Sequence, residues 1–320
     1  MALRRFLMIG FVAVVLVACG GNRNSEAHPD GESSLSKNVI LSSGEGSCCS
    51  SSSAIAGDTV YDTRQLVDLL VELDSKELQS SNSRSSSSAF VAYVAPTTVI
   101  KGTMTDERDG KIYKTVKIGT QIWMAENLNY TYTGVPYSYR YDNGVYTCDS
   151  TSWCYGNDPA NCIKYGRLYT WAAAMDSVGT WSVNGKGCGN VMTCSPTYPV
   201  RGVCPEGWHL PDTTEWKILI DAVGGEDEAG KTLKSISGWS KSAGANGGNG
   251  TDAYSFTVLP VGFRYDYGRY AIEGENAAFW SSSELNRYFA YIMFLWSHYG
   301  SAKLEPRGRG NGFSVRCVKD

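Results

Sequence analysis

The sequence predicts a loop-rich α+β domain that follows a long Ser-rich linker. Charged residues make up only 19% of the 320-residue chain, whereas Gly, Tyr and Trp are plentiful. An Asp-Gly turn between strand-like runs predicts antiparallel strands, and two short segments have helical patterning. All nine Trp lie at Trp123 or later. The change in composition near residue 105 therefore predicts a folded domain over residues 105–320.

The first 18 residues have the pattern of a secretory signal peptide. Arg4 and Arg5 precede an apolar run that is shorter than the roughly 20 residues a membrane-spanning helix needs. The run ends in Leu-Val-Ala-Cys, which resembles the lipobox of bacterial lipoproteins, so Cys19 is the predicted lipidation site. A plain signal peptide with a chance Cys is the alternative. The residue after Cys19 is Gly20. In such lipoproteins, a residue other than Asp at this position favours the outer membrane over retention in the inner membrane.

Residues 19–104 are predicted to form a flexible linker, because their Ser-rich composition offers little apolar surface to bury. One segment, residues 62–78, has helical spacing of Leu behind a capping Asp62 with Gln65 three residues on. This helix is expected to dock weakly on the folded domain, and a contact helix for a partner is the alternative.

The folded part opens with a predicted hairpin around Asp109-Gly110. Two helices are predicted, one over residues 168–177 and one that Asp212 caps with Glu215 at the reciprocal position. Glu226-Asp227-Glu228 is predicted to be a solvated loop. Further strands are expected at residues 256–259, 262–265, 289–295 and 313–318.

Five segments together resemble one family, the Fibrobacter succinogenes major paralogous (FISUMP) domain. They are TVKIGTQIWMAENLNY (residues 115–130), CIKYGRLYTWAAAM (162–175), CPEGWHLPDTTEWKIL (204–219), FWSSSE (279–284) and GFSVRCVKD (312–320). The resemblance implies an exported protein, often a lipoprotein behind a Ser-rich linker. It implies no biochemical activity, because none is assigned to the family.

A remoter likeness concerns the fold. Gly-Trp-His-Leu-Pro followed by Glu215-Trp216, with the closing Cys-bearing segment, resembles the sulfatase-modifying, formylglycine-generating enzymes. That likeness implies a C-type-lectin-like scaffold. The copper-binding Cys pair of those enzymes and the calcium-site triplets of sugar-binding lectins have no match here, so neither activity carries over.

The ten Cys of an exported chain favour disulfide bonds. Lipidation of Cys19 leaves an odd number, nine. Local spacing and the long closing loop suggest three pairs: Cys154–Cys162, Cys188–Cys194 and Cys204–Cys317. Cys148 is then left over, and it could pair with Cys48 or Cys49, or replace Cys154.

No catalytic, metal or cofactor site is predicted. His209 is expected to hold a turn, and His298 to lie in a surface loop. Asp212 and Glu215 are better explained as helix caps than as acid and base, and no calcium loop has the required spacing.

Tyrosines are the candidate ligand-binding residues, because aromatic faces can stack on sugar rings. Packing in the core is the competing interpretation. The candidates crowd one predicted loop region: Tyr130, Tyr132, Tyr137, Tyr139, Tyr141 and Tyr146.

The expected function is that of a lipid-anchored binding or adhesion protein of the cell envelope, placed in the outer membrane. Its expected partners are the membrane, through the anchor, and a polysaccharide or an envelope protein. Nucleic acid is not expected, since the net charge is −3. An enzyme on the formylglycine-generating scaffold and a purely structural lipoprotein are the alternatives.

Overall fold

The computed structural model describes residues 49–52, 98–141, 144–241 and 248–320, with the backbone alone for 49–52, 134–141 and 144–150. Short helices and mostly antiparallel sheets make this part an α+β fold, as predicted. The predicted signal peptide, Cys19 and the predicted helix at 62–78 lie outside the described residues.

A three-stranded sheet contains the first described strand. β1 (Cys49–Ser52) pairs with β6 (Gly144–Ser150), which pairs in turn with β5 (Thr133–Tyr141). β1 lies within the range predicted to be flexible linker. Its backbone groups find partners in β6, although its sequence, Cys-Ser-Ser-Ser, has little to bury.

A five-stranded antiparallel sheet holds both ends of the domain. β2 (Ile100–Asp106) and β3 (Lys111–Ile118) form the predicted hairpin, in which Gly110 has a φ of 71° that suits glycine. The first residues of β2 also fall inside the predicted linker. β4 (Gln121–Met124), β16 (Val318–Lys319) and β9 (Trp208–His209) follow in that order across the sheet.

A six-stranded sheet packs near it. Its order is β14 (Ala302–Gly308), β13 (Phe289–Trp296), β12 (Asn276–Glu284), β15 (Phe313–Ser314), β8 (Leu168–Tyr169) and β7 (Ser152–Trp153). Only β12 and β15 are parallel neighbours in it.

Three predicted strands differ from the structure. Residues 313–318 are not one strand, because the chain crosses from the six-stranded sheet at β15 to the five-stranded sheet at β16. Residues 256–259 contribute only a bridge between Val258 and Lys234. The strand predicted at 262–265 shortens to β10 (Phe263–Arg264), which pairs with β11 (Tyr270–Ala271).

The helices are α1 (Pro159–Tyr165), α2 (Trp171–Ala174), α3 (Thr213–Ala222) and α4 (Glu226–Leu233), with 3-10 turns at Tyr155–Asn157 and Val183–Gly185. The helix predicted over 168–177 is a single turn, because its first residues pair as β8 and Thr170 caps the chain only there. The capping box of Asp212 and Glu215 on α3 is confirmed.

The loop predicted at Glu226-Asp227-Glu228 is wrong, since these residues form the first turn of α4. Their carboxylates are favoured there because the helix N-terminus carries partial positive charge. Gly225, with a φ of 85°, supplies the bend before the helix.

Large aromatic side chains fill the core between the two larger sheets. The Trp123 ring of β4 stacks on Trp216 of α3 at 4.6 Å between ring centroids, and Trp216 meets Phe279 of β12. A second cluster centres on Trp171, Trp280 and neighbouring side chains. Each such burial stabilises the fold by about 1.5–3 kcal/mol, so this interior supplies much of the driving force.

Three disulfide bonds link the folded part: Cys154–Cys162, Cys188–Cys194 and Cys204–Cys317. These are the three pairs suggested by the spacing in the sequence. The last bond ties the segment before β9 to the segment between β15 and β16. Disulfides of this kind are typical of proteins outside the cytoplasm, so the domain belongs in an oxidising compartment.

Candidate functional site

Tyr132 is buried and serves the fold, which removes it from the predicted ligand-binding set. It is 1% exposed, and its hydroxyl donates a hydrogen bond to the carboxylate of Asp176. Asp176 also accepts hydrogen bonds from the backbone N–H groups of residues 180, 181 and 182. Burial raises the pKa of Tyr132, and the bond to Asp176 adds to that rise. The face of this ring is not available to a ligand.

Tyr130 lies partly exposed beside an arginine. The guanidinium of Arg108 lies 4.0 Å from the centre of the Tyr130 ring and 5.3 Å from that of Trp181. The same guanidinium donates to Asp106 at 2.7 Å and to the Val203 carbonyl at 2.8 Å. Arg108 therefore already occupies one face of the Tyr130 ring.

The remaining predicted tyrosines lie on the β5–β6 hairpin, so the loop predicted for this region is wrong. Tyr137, Tyr139 and Tyr141 alternate along β5 and therefore share one face of it. Tyr146 is opposite Tyr139 in the register and belongs to the same face. The backbone thus brings four of the predicted tyrosines to one face of one hairpin.

His209 is held between two carboxylates. Its Nε2 lies 2.7 Å from Glu215 Oε1 and its Nδ1 lies 2.7 Å from Asp320 Oδ1. Burial lowers the pKa of His209, but the bonds to Glu215 and Asp320 outweigh burial and leave it raised. With both ring nitrogens engaged by carboxylates, the imidazole has no free lone pair with which to act as a base.

A small groove of about 240 Å³ lies beside this histidine. It is lined by Tyr198, Leu210, Asp212, Glu215 and neighbouring side chains. Asp212 and Glu215 are committed to the capping box, and Glu215 also holds His209. Both carboxylates at this groove are therefore engaged in structure, as the sequence predicted.

A group of contacting, largely exposed aromatic rings lies at the end of β13. Trp296, the last residue of β13, is 38% exposed, and Tyr299 in the following turn is 60% exposed. Trp296 meets three rings nearly at right angles: Phe294 at 5.9 Å, His298 at 5.6 Å and Tyr299 at 6.3 Å between centroids. We call Phe294, Trp296, His298 and Tyr299 the aromatic platform.

A buried lysine fixes the turn that carries the platform. Lys234, just after α4, is 1% exposed, and its ammonium donates to the Trp296 carbonyl at 2.5 Å and the Tyr299 carbonyl at 2.6 Å. The ammonium also lies 4.7 Å from the centre of the Trp239 ring. Burial lowers the pKa of Lys234 to about 8. Burial of a cation costs folding free energy, and here the buried cation is the group that holds this turn.

Backbone hydrogen bonds hold the same turn from other sides. Ser297 donates to the Glu275 carbonyl at 2.6 Å and accepts from the N–H of Gly248 at 2.5 Å. The N–H of Lys231 donates to the Gly300 carbonyl at 2.8 Å. The exposed rings therefore project from an ordered backbone, which lowers the entropy lost when a ligand binds.

Charged side chains border the platform. The guanidinium of Arg307, on β14, lies 5.6 Å from the centre of the Phe294 ring and pairs with Glu305 at 2.5 Å. Lys303 is opposite Phe294 in the register of β13 and β14. Aromatic faces bordered by hydrogen-bonding groups suit a ligand with alternating apolar and hydroxyl surfaces.

The sequence did not predict this platform. His298 was expected in a surface loop, and Trp296 was not among the candidate residues. The strand predicted at 289–295 stops one residue short of it, and strand periodicity alone does not show whether an aromatic residue at a strand end is exposed. The run Phe-Leu-Trp-Ser-His-Tyr at residues 294–299 was the available signal.

Within the part of the chain that the structure describes, no group of three metal-ligating side chains could hold an ion. No helix among the same residues is long and apolar enough to cross a membrane.

The fold and its disulfides define an exported domain of α+β class, and comparison with known proteins gives its family. The model of the Fibrobacter succinogenes major domain matches residues 116–319. The chain belongs to this family, as the five sequence segments predicted. No curated protein and no solved structure matches the chain.

Proposed function

We propose that this chain is a lipid-anchored protein of the outer membrane whose folded domain binds polysaccharide without cleaving it. The aromatic platform is the observation that carries the binding function. Trp296 and Tyr299 are exposed on a turn that a buried lysine and three backbone hydrogen bonds hold in place. Rigid, exposed aromatic groups are the usual anchors of binding surfaces.

The bonding of the cysteine and histidine side chains supports the proposal that the domain binds without cleaving. The six cysteines from Cys154 onward are all in disulfides, so they supply no thiol pair to an enzyme. His209 is bonded at both nitrogens, which leaves it unsuited to activate a nucleophile.

The finer fold assignment is also a proposal: a C-type-lectin-like domain. The antiparallel sheets, the helices beside them and the pairing of β16 next to β4 support it. An experimental structure of residues 98–320 would test it, and a strand order unlike that scaffold would contradict it.

The anchor is proposed on sequence grounds, from the lipobox at Leu16-Val17-Ala18-Cys19. Mass spectrometry of the mature amino terminus tests it directly. A terminal Cys19 with a diacylglyceryl group and an acylated amine is expected, and an unmodified Cys19 or cleavage elsewhere would contradict it. Membrane fractionation then tests the outer-membrane location.

The binding proposal is tested by retention of the purified protein on insoluble cellulose and xylan, followed by a glycan array. Trp296→Ala and Tyr299→Ala are each expected to weaken retention about tenfold, since truncating a central aromatic anchor costs more than about 1 kcal/mol. Tyr288→Ala is the matched control, because Tyr288 is 44% exposed but lies outside the platform. Equal retention of all three variants would contradict the platform as the binding surface.

The hairpin tyrosines form a second candidate surface. Their shared face is the observation that favours it. A variant with Ala at Tyr137, Tyr139 and Tyr141 tests it in the same assay. Loss of retention in this variant alone would move the proposed site to the hairpin, and retention on no glycan by the wild-type protein would contradict polysaccharide binding.

A further inference from the structure

We propose that a disulfide bond joins Cys49 of the Ser-rich segment to Cys148 of the β5–β6 hairpin. The observation is the register of β1 on β6, two antiparallel strands in which Cys49 is directly opposite Cys148. The next pairs are Ser50 with Thr147 and Ser51 with Tyr146. The sequence left Cys148 with several possible partners, and the backbone places one of them across from it.

The register is compatible with a covalent bond. Residues directly opposite each other in antiparallel strands have Cα atoms about 4.5–5.5 Å apart and share one face of the sheet. Disulfides span Cα separations of about 4.4–6.8 Å. The Cα separation expected for this pair therefore lies within the range that a disulfide spans.

The composition of β1 supplies a second argument. The sequence Cys-Ser-Ser-Ser has no large apolar side chain and little intrinsic preference for a sheet. Burial of apolar surface therefore contributes little to the pairing of β1 with β6. A covalent bond between Cys49 and Cys148 would keep β1 next to β6. The high effective concentration of the tethered strand would then favour its backbone pairing.

The count of cysteines agrees with this pairing. Six of the ten are already bonded to one another, and Cys19 is assigned to the lipid. Cys48, Cys49 and Cys148 remain. A bond between Cys49 and Cys148 makes Cys48 the odd thiol that the sequence required.

The bond would form by thiol–disulfide exchange with a disulfide-bonded oxidoreductase of the cell envelope. The thiolate of one cysteine attacks a sulfur of the donor disulfide and forms a mixed disulfide. The thiolate of the other then displaces the donor sulfur. Two protons leave the substrate thiols, and the donor is reduced to its dithiol.

The consequence concerns how far the domain stands from the membrane, and this part rests on the proposed anchor at Cys19. Without the bond, the tether would run about 80 residues from Cys19 to β2. With it, the tether would end after about 30 residues, at Cys49. For a chain as flexible as the Ser-rich composition predicts, the mean span would fall from roughly 50 Å to roughly 30 Å.

Differential labelling of the full-length protein tests the bond. Free thiols are alkylated with one reagent under denaturing conditions, and disulfides are then reduced and alkylated with a second reagent of different mass. Trypsin releases Cys48 and Cys49 together on residues 38–64, and Cys148 on residues 141–164. Tandem mass spectrometry assigns each label to its cysteine, and a non-reduced digest shows which peptides are linked.

The expected result is the first label on Cys48, the second on Cys49 and Cys148, and a link between the two peptides. Cys48→Ser is the matched variant and should keep the link while losing the free thiol. The first label on Cys49 or Cys148, or a link to a second copy of the chain, would overturn the proposal. The readout depends on neither lipid attachment nor glycan binding, so failure here is distinct from failure of the proposed function.

Discussion

At the scale of the residue, buried polar side chains fix the loops of this domain. Arg316 is buried between β15 and β16. Its Nε donates to the Asn127 side chain at 2.8 Å, and its Nη atoms donate to the carbonyls of Phe256 and Thr257. Thr257 has a φ of 54°, which is strained for a β-branched residue. The arginine therefore stabilises a backbone conformation that local preference disfavours.

Tyr132→Phe is predicted to destabilise the domain by about 1–2 kcal/mol, because it removes the hydroxyl that donates to the buried Asp176. Urea unfolding followed by intrinsic fluorescence measures this change. Tyr130→Phe is the matched control, since Tyr130 is more exposed, and it should cost less than about 0.5 kcal/mol. Equal losses in the two variants would contradict the structural role assigned to Tyr132.

His209 predicts a dependence of stability on pH. Its pKa is raised in the folded state, so its contribution is fully present below the unfolded value of 6.5 and is lost as pH rises through the folded value. The difference in unfolding free energy between wild type and His209→Gln should therefore shrink as pH increases from 5.5 to neutral and above. Asp320→Asn, which keeps Glu215, should remove only part of the difference. A constant difference over this range would argue against the charged pairing.

At the scale of the element, the start of α3 depends on its capping box. Asp212→Ala should destabilise the domain by about 1 kcal/mol, because the N-terminal N–H groups of α3 lose an acceptor. Asp221→Ala on the same helix is the control. Asp221 makes only an exposed pair with Lys217, so it should cost about 0.3–0.5 kcal/mol. Thermal unfolding of the two variants makes the comparison.

The turn after β13 gives a prediction that separates stability from binding. Lys234→Met removes a buried charge, which favours folding, and also removes donors to two carbonyls, which opposes it. We expect the unfolding free energy to change by less than about 2 kcal/mol while polysaccharide retention falls several-fold. Lys231→Met, on the exposed side of α4, should change neither. Unaltered retention by Lys234→Met would show that the turn needs no such support.

The elements that the sequence predicts correctly are those that depend on residues close together in the chain. The Asp109-Gly110 hairpin and the α3 capping box each depend on residues within a few positions of one another, and both are as predicted. The helix expected over 168–177 fails because Leu168 and Tyr169 pair with β7 and β15, which are distant in sequence. Tertiary pairing of this kind leaves no trace in local periodicity.

The candidate site follows the same rule. Closeness in sequence grouped the tyrosines of the hairpin but could not show that Tyr132 is buried against Asp176, 44 residues away. The aromatic platform depends on Lys234, which is 62 residues from Trp296. The local sequence pattern around either residue does not indicate that contact.

At the scale of the whole molecule, the disulfides differ in what they constrain. Cys204–Cys317 has a sequence separation of 113, against 6 for Cys188–Cys194. In the chain-entropy model, replacing both cysteines by Ser costs about 5 kcal/mol for the long loop and about 2 kcal/mol for the short one. Denaturant unfolding of the two double variants tests this order. A larger loss from the short loop would contradict it.

The five-stranded sheet has a practical consequence. Among residues 98–320, β2 is the first strand and β16 the last, and both belong to that sheet with β3 and β4 between them. Three strand spacings put them roughly 15 Å apart, a gap that a surface loop of a host protein can span. Residues 98–320 should therefore work as a transplantable cassette, displayed from such a loop with the platform intact.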